Sequence, residues 1–254
     1  MDPTMDLLRL VPQLRDLRGQ LPTHPTKRYG ARPLTELRGM CWHQQAGRPN
    51  PDNVRALRAV AAYHSGPDSH LAEGGAPGIA YSLAVAPDGC TYILHDLEVA
   101  TWSQGWRDRP GDENRELVAV LFLGDFAGPG HPGGEPTGAQ LLAGLRLWEC
   151  LSRAFLWDAG ALWGHYLLGK PACPGNTLQA VVEAVRSHAA PPPGLGTWHE
   201  RQTALRAVVP ELVVDGVPGP ATKAAIVRFQ RTAGLVPDGV WGPATERALL
   251  GRVG

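Results

Sequence analysis

Leu7, Leu8, Leu10, Val11, Leu14 and Leu17 recur at helical spacing, interrupted at Pro12, and a proline-rich approach through Pro22, Pro25 and Pro33 follows. Residues 1–33 therefore read as an amphipathic helical arm packed on the main domain. Met40, Cys41 and Trp42 form a short apolar run ending at His43, the pattern of a strand. From Pro51 to His64 the spacing is helical, with Val54, Leu57, Val60 and Ala61 on one side. Ile79 to Val85 and Thr91 to Leu94 are strand-like and joined across Pro87-Asp88-Gly89, an Asp-Gly hairpin turn. Leu117 to Leu123 is apolar almost throughout, as a strand covered on both faces is. Ala139 to Phe155 and Leu178 to His188 return to helical spacing. The expected fold is α/β, a mixed central β-sheet flanked by helices, over residues 34–188.

Residues 189–197, Ala-Ala-Pro-Pro-Pro-Gly-Leu-Gly-Thr, cannot continue a helix and stiffen the chain, so a linker is placed there. Beyond it lies an internal repeat. Asp215-Gly216-Val217-Pro218-Gly219-Pro220-Ala221-Thr222 recurs as Asp238-Gly239-Val240-Trp241-Gly242-Pro243-Ala244-Thr245, identical at seven of eight positions. In each copy an Asp-Gly turn leads to a proline suited to the first helical position, so each copy launches a helix. Helices are expected over His199 to Val208, Pro220 to Thr232 and Pro243 to Leu250, which makes residues 198–254 a small three-helix bundle.

Composition narrows the partners. The chain has 254 residues, 43% hydrophobic, enough for one sizeable core and a second small one. Lys plus Arg number 24 against 24 Asp plus Glu, so no long-range positive field exists to collect the protein on nucleic acid or an anionic membrane surface. Neither a secretion signal nor a run of about 20 apolar residues is present, which argues against membrane insertion and for synthesis in the cytoplasm. Cys41, Cys90, Cys150 and Cys173 are too few and scattered for a disulfide framework and read as thiols.

The chemistry concentrates near His165 and Cys173. A strand-end histidine and a loop cysteine eight residues later can converge on one ion, because the intervening Gly169 and Pro171 favour a turn. Neutral imidazole and thiolate are zinc ligands, and a catalytic zinc takes three protein ligands and keeps the fourth position open. His43 is the best third candidate, since it ends the first apolar strand. At this spacing alone, a His and a Cys are more often ordinary loop residues.

Four segments in order carry a resemblance: Cys41-Trp42-His43, Gly78-Ile79-Ala80-Tyr81-Ser82-Leu83, Asn114 through Val118 to Phe126, and Gly164-His165 through Cys173-Pro174-Gly175. From about Leu34 to Val185 the chain resembles the zinc amidases that cleave peptidoglycan between N-acetylmuramic acid and L-alanine, the family shared by short phage endolysins and peptidoglycan recognition proteins. The resemblance implies a Zn2+ ion on His43, His165 and Cys173. It implies that Tyr81 is the active-site tyrosine whose hydroxyl supports the attacking water or the developing oxyanion; the alternative is a core aromatic. The family's cationic residue lies two before the cysteine, where Pro171 stands. Lys170 either reaches the site by a different loop path or is solvated surface. Leu121 occupies the place of a glutamate that some relatives use as a base. Trp102 and Trp106 fall where relatives line the groove, with Ser103 in a histidine's place. His64 and His95 border the same region and read as satisfied residues, not ligands.

The C-terminal repeat resembles a three-helix peptidoglycan-binding domain, with Phe229-Gln230 in its middle helix and Trp241 as a groove or core residue. Together these resemblances imply a monomeric, zinc-dependent N-acetylmuramoyl-L-alanine amidase of the endolysin kind. Its partner is peptidoglycan, met as the muramyl peptide, and it is made in the cytoplasm and reaches the wall after release. The alternative is a non-catalytic peptidoglycan-recognition protein on the same fold.

Overall fold

The computed structural model describes residues 2–47, 50–104, 112–126, 134–187, 198–235, 237–242, 245–246 and 248–249. The chain divides into two compact units, Met1–His188 and Ala189–Gly254. The expected linker, 189–197, lies outside the described residues. No described helix is long and apolar enough to cross a membrane.

The first unit runs α1 (Pro3–Leu8), β1 (Leu14–Asp16), β2 (Gly30–Ala31), β3 (Gly39–Gln44), α2 (Asn53–Ser65), β4 (Leu83–Val85), β5 (Thr91–Ile93), β6 (Val99–Ala100), α3 (Glu113–Glu116), β7 (Leu117–Phe122), α4 (Gly138–Phe155), β8 (Leu162–Gly164) and α5 (Asn176–Ser187). Six strands form one sheet in the order β1-β5-β4-β7-β3-β8, and β2 pairs with β6 separately. Within the large sheet only the β4–β5 hairpin is antiparallel. The sheet is therefore mixed, with helices against it.

Alternation along β3 and β7 divides the core between the two faces of the sheet. Met40, Trp42, Val118, Val120 and Phe122 pack with Leu147 and Leu151 of α4 and Leu178 and Val182 of α5. Leu121 and Ala84 pack on the other face with Ala56, Leu57 and Ala61 of α2. Cys41 and His43, out of phase with Met40 and Trp42, share this second face. Gly144 lets α4 lie close against the sheet, since a Cβ there would lie 2.5 Å from the Phe122 ring. Side-chain caps start the two long helices: Asp52 accepts from Arg55 N–H (3.0 Å) and Thr137 from Gln140 N–H (3.0 Å).

Two expectations change. The N-terminal segment is not a helical arm: α1 ends at Leu8, and Leu14–Asp16 adds a parallel edge strand beside β5. Pro12 cannot continue the helix, and Gln13 turns the chain at φ 51. The strand expected from Ile79 begins only at Leu83. Before it, Ala80 N–H donates to His64 Nδ1 (3.1 Å) and Ile79 C=O pairs with His95 Nε2 (2.8 Å), so side chains take the bonds that a ladder would use.

The second unit contains α6 (Trp198–Arg206) and α7 (Pro220–Thr232). Of the expected third helix, residues 245–246 and 248–249 are described and are helical. Leu205, Val209, Leu212, Ala225, Ile226, Phe229 and Leu249 form its core. The repeat has a structural partner that the octapeptides themselves do not contain. Gln202 Nε2 donates to Asp215 Oδ1 (2.7 Å), Val217 C=O (2.9 Å) and Thr222 Oγ1 (2.9 Å). Gln230 makes the same three bonds to Asp238, Val240 and Thr245 at 2.7, 3.1 and 3.1 Å. Each buried glutamine thus fastens one launching turn to the preceding helix.

Candidate metal centre

Strand pairing assembles the centre. Parallel β3 and β8 place Trp42 opposite Gly164, so the next residue of each chain, His43 and His165, emerges at the same end of the sheet. Their ring centroids lie 4.4 Å apart. Cys173 returns on the loop before α5, its Sγ 3.8 Å from His43 Nδ1. One donor atom from each of His43, His165 and Cys173 lies within 4.8 Å of the other two.

The cluster fits a tetrahedral zinc ion. Zinc–sulfur and zinc–nitrogen bonds of about 2.3 and 2.0 Å, meeting at a tetrahedral angle, separate S from N by about 3.5 Å, close to the observed gap. His43 Nε2 is buried and has no partner among the described residues, so the ring is held by packing and by what its Nδ1 faces. The protonation states suit ligation at neutral pH. Burial, and then His165, hold His43 well below the usual imidazole range. Burial, and then the charge of Lys170, bring His165 down to about 4, against an opposing hydrogen bond with the Gln104 backbone. Both rings are therefore neutral. Burial pushes the Cys173 thiol up to about 11, opposed by a hydrogen bond from the Gln44 backbone. Without metal, Cys173 is a thiol.

A supporting shell surrounds the donors. The Gln44 side chain accepts from Phe126 N–H (2.6 Å) and donates to Ala172 C=O (2.7 Å), tying β3 to the residue before Cys173. Asn114 Oδ1 accepts from Gln104 N–H (2.9 Å), which sets the backbone that meets His165. Asn114 is anchored in turn by Arg32, a buried guanidinium that donates to the carbonyls of Leu97 (2.8 Å), Asn114 (2.7 Å) and Leu117 (2.9 Å). Outer-shell partners of this kind orient metal ligands. Sequence reading missed Gln44, Gln104 and Arg32; Gln44 follows Cys41-Trp42-His43 directly, but nothing in its position predicts a bond to residue 172.

Tyr81 stands beside the donors, its ring 5.2 Å from His43. Burial, then the neighbouring Cys173 and Cys41, raise its hydroxyl above the usual tyrosine range, so it remains a donor. Lys170 is exposed, yet its charge is felt at His165. Leu121 lies opposite His43 in the β3–β7 register and is fully buried, so β7 brings no carboxylate there. His95 and Trp102 each pack edge-on against Tyr29, at 5.3 and 5.4 Å. Ser103 is buried. Trp106 lies outside the described residues.

His64 is buried, 5.6 Å from the Tyr81 ring, and its pKa is lowered to about 4 by burial and then by His70. The unfolded chain, with an ordinary value of 6.5, takes up the proton first as pH falls. Stability is therefore complete above about pH 6.5 and is expected to drop by about 3 kcal/mol from this group alone as pH falls to 4. Urea unfolding across that range measures it, and His64→Gln should flatten that part of the slope.

Residues 198–249 match the family model described as "Putative peptidoglycan binding domain". A comparison with curated proteins finds no match. Among solved structures, the chain is similar to the Drosophila peptidoglycan recognition protein SD (17% identity, covering 67% of this chain and 94% of that one, TM-score 0.52). It is similar to bumblebee PGRP-SA (17% identity, 68% and 94% covered, TM-score 0.53). It is also similar to human PGRP-IBETAC in complex with glycosamyl muramyl pentapeptide (18% identity, 68% and 95% covered, TM-score 0.52). The chain thus carries the fold of the peptidoglycan recognition proteins. It combines that fold with a C-terminal segment matching a peptidoglycan-binding family.

Proposed function

We propose that the protein is a zinc-dependent N-acetylmuramoyl-L-alanine amidase that hydrolyses the amide joining N-acetylmuramic acid to the L-alanine of the stem peptide. The observation that carries this is the convergence of His43, His165 and Cys173 on one point of a fold shared with proteins named for peptidoglycan recognition. One such neighbour is described in complex with a muramyl pentapeptide, which supports a muramyl peptide as the ligand of this fold here too. When bound, zinc supplies Lewis acidity that polarises the amide carbonyl and makes water a better nucleophile near neutral pH.

The chain's own groups do the rest. His43 and His165 present neutral imidazoles, and Cys173 contributes the one anionic ligand once its proton leaves. Tyr81 keeps its proton and donates a hydrogen bond to the oxygen on which negative charge develops. Lys170 adds positive charge at the rim, favouring the same build-up. The C-terminal unit holds the enzyme on an insoluble polymer and raises the local concentration of the scissile bond. An endolysin, stored in the cytoplasm and released onto the wall as a bacteriolytic, antimicrobial monomer, is the role that joins these parts.

The test is release of free amino groups from purified peptidoglycan with and without a zinc chelator. Hydrolysis that chelation abolishes and added zinc restores is the expected result. Full activity after chelation would reject the metal mechanism, whereas wall binding without any hydrolysis would indicate a recognition protein.

A further inference from the structure

The two launching octapeptides differ only at Pro218 and Trp241, and these two residues line the same cavity. It measures about 320 Å3 and is completed by Trp198, Lys223, Ile226 and the turn 239–240, the lower end of the range for small-ligand pockets. The indoles of Trp198 and Trp241 stand 6.3 Å apart at 70°. The Arg201 guanidinium lies 5.1 Å from the first ring and 5.9 Å from the second, so a stacked cation sets both. Gly239, at φ 72, lets the turn lie against the Lys223 stem, which a Cβ there would meet at 2.8 Å.

The Trp241 indole N–H is buried without a partner among the described residues, and Val240 beside it is 59% exposed. Gln230 already fastens the turn that carries them, and among the described residues no hydrogen bond draws on this donor. An aromatic wall, an unused N–H and a cationic rim in one cavity call for a ligand with an apolar ring face and a carbonyl, carrying no positive charge.

We propose that this cavity is a subsite for one N-acetylated pyranose of a glycan strand. In the proposed complex the C–H face of the sugar stacks on an indole, and the half-buried Trp241 ring turns its N–H edge into the cavity to donate to the acetamido carbonyl. The proposal rests on the reading of this unit as wall-binding and adds where, and by which part of the polymer, binding occurs.

The experiment uses the 15N-labelled full chain. The indole resonance missing from Trp241→Phe identifies Trp241. Tetra-N-acetylchitotetraose is expected to shift that resonance, while cellotetraose, with hydroxyls in place of the acetamido groups, is not. Trp241→Phe keeps a ring without the donor and should bind roughly tenfold more weakly; Trp241→Pro, which installs the residue of the first copy, should abolish binding. Sedimentation with purified wall runs in parallel. A chain that sediments while the resonance stays fixed overturns the site and leaves wall binding intact. An equal response to cellotetraose overturns the acetamido assignment. A chain that neither sediments nor responds overturns both readings.

Discussion

Replacing Cys173 with serine is expected to abolish zinc binding and to lower the proposed amidase activity by more than about 100-fold, with the fold retained. Losing an outer-shell partner typically costs a metal site about 10–100-fold, and losing the only anionic donor of this cluster costs more, because a serine hydroxyl does not ionise at working pH. The fold should survive because Cys173 sits on a half-buried loop and pairs in no disulfide. Zinc titrations separate ligation from packing. With its thiol up at about 11 in the metal-free protein, wild-type Cys173 must release a proton as the ion binds, so affinity should rise about tenfold per pH unit between roughly 7 and 9. Cys173→Ser should show no such slope. Unchanged activity in this variant would remove the thiolate from the mechanism.

Gly175→Ala should damage the same centre through the backbone. Gly175 has φ 95, and a Cβ there would lie 2.3 Å from the Phe126 carbonyl oxygen and 2.8 Å from Gln44 Oε1. The left-handed conformation alone costs an alanine about 1–2 kcal/mol. Relieving the clash also requires the loop to withdraw from Gln44, the residue that ties Ala172 and hence Cys173 to β3. A total loss of about 2–4 kcal/mol is expected, together with zinc affinity about 10–100-fold weaker. Gly169→Ala is the internal control. Its φ is 84, but nothing lies within 4 Å of the added carbon, so it should lose only the conformational part and keep its affinity. Urea melts and competition with a chromogenic chelator measure both variants; equal behaviour would show that the contact with Phe126 and Gln44 does not hold the centre.

Much of the architecture is legible in local pattern. The continuous apolar run of β7, the Asp-Gly turn between β4 and β5, and the helical spacing of α2, α4 and α5 all depend on neighbours within a few residues. The site is less legible. His43 and His165 can be named because each ends an apolar run, but Tyr81 leaves its strand through side-chain bonds from His64 and His95 that no periodicity records. Gln44 reaches a carbonyl 128 residues along the chain and Arg32 reaches carbonyls 65 to 85 residues along, while the Gln104 backbone meets His165. Leu14–Asp16 reads as helix because Leu14 and Leu17 continue the spacing of α1, and only the open edge of β5 converts it to strand.

By itself, then, the amino-acid order determined the alternation of strands and helices, the duplicated launching turns and the donor types available for a metal, since each follows from local sterics, periodicity and side-chain chemistry. The tertiary structure alone decided that two imidazoles and a thiol meet within 4.8 Å, and that Pro218 and Trp241 line one cavity. Distances of that kind are set by strand register and loop closure, which couple residues too far apart in the chain for any local rule to reach.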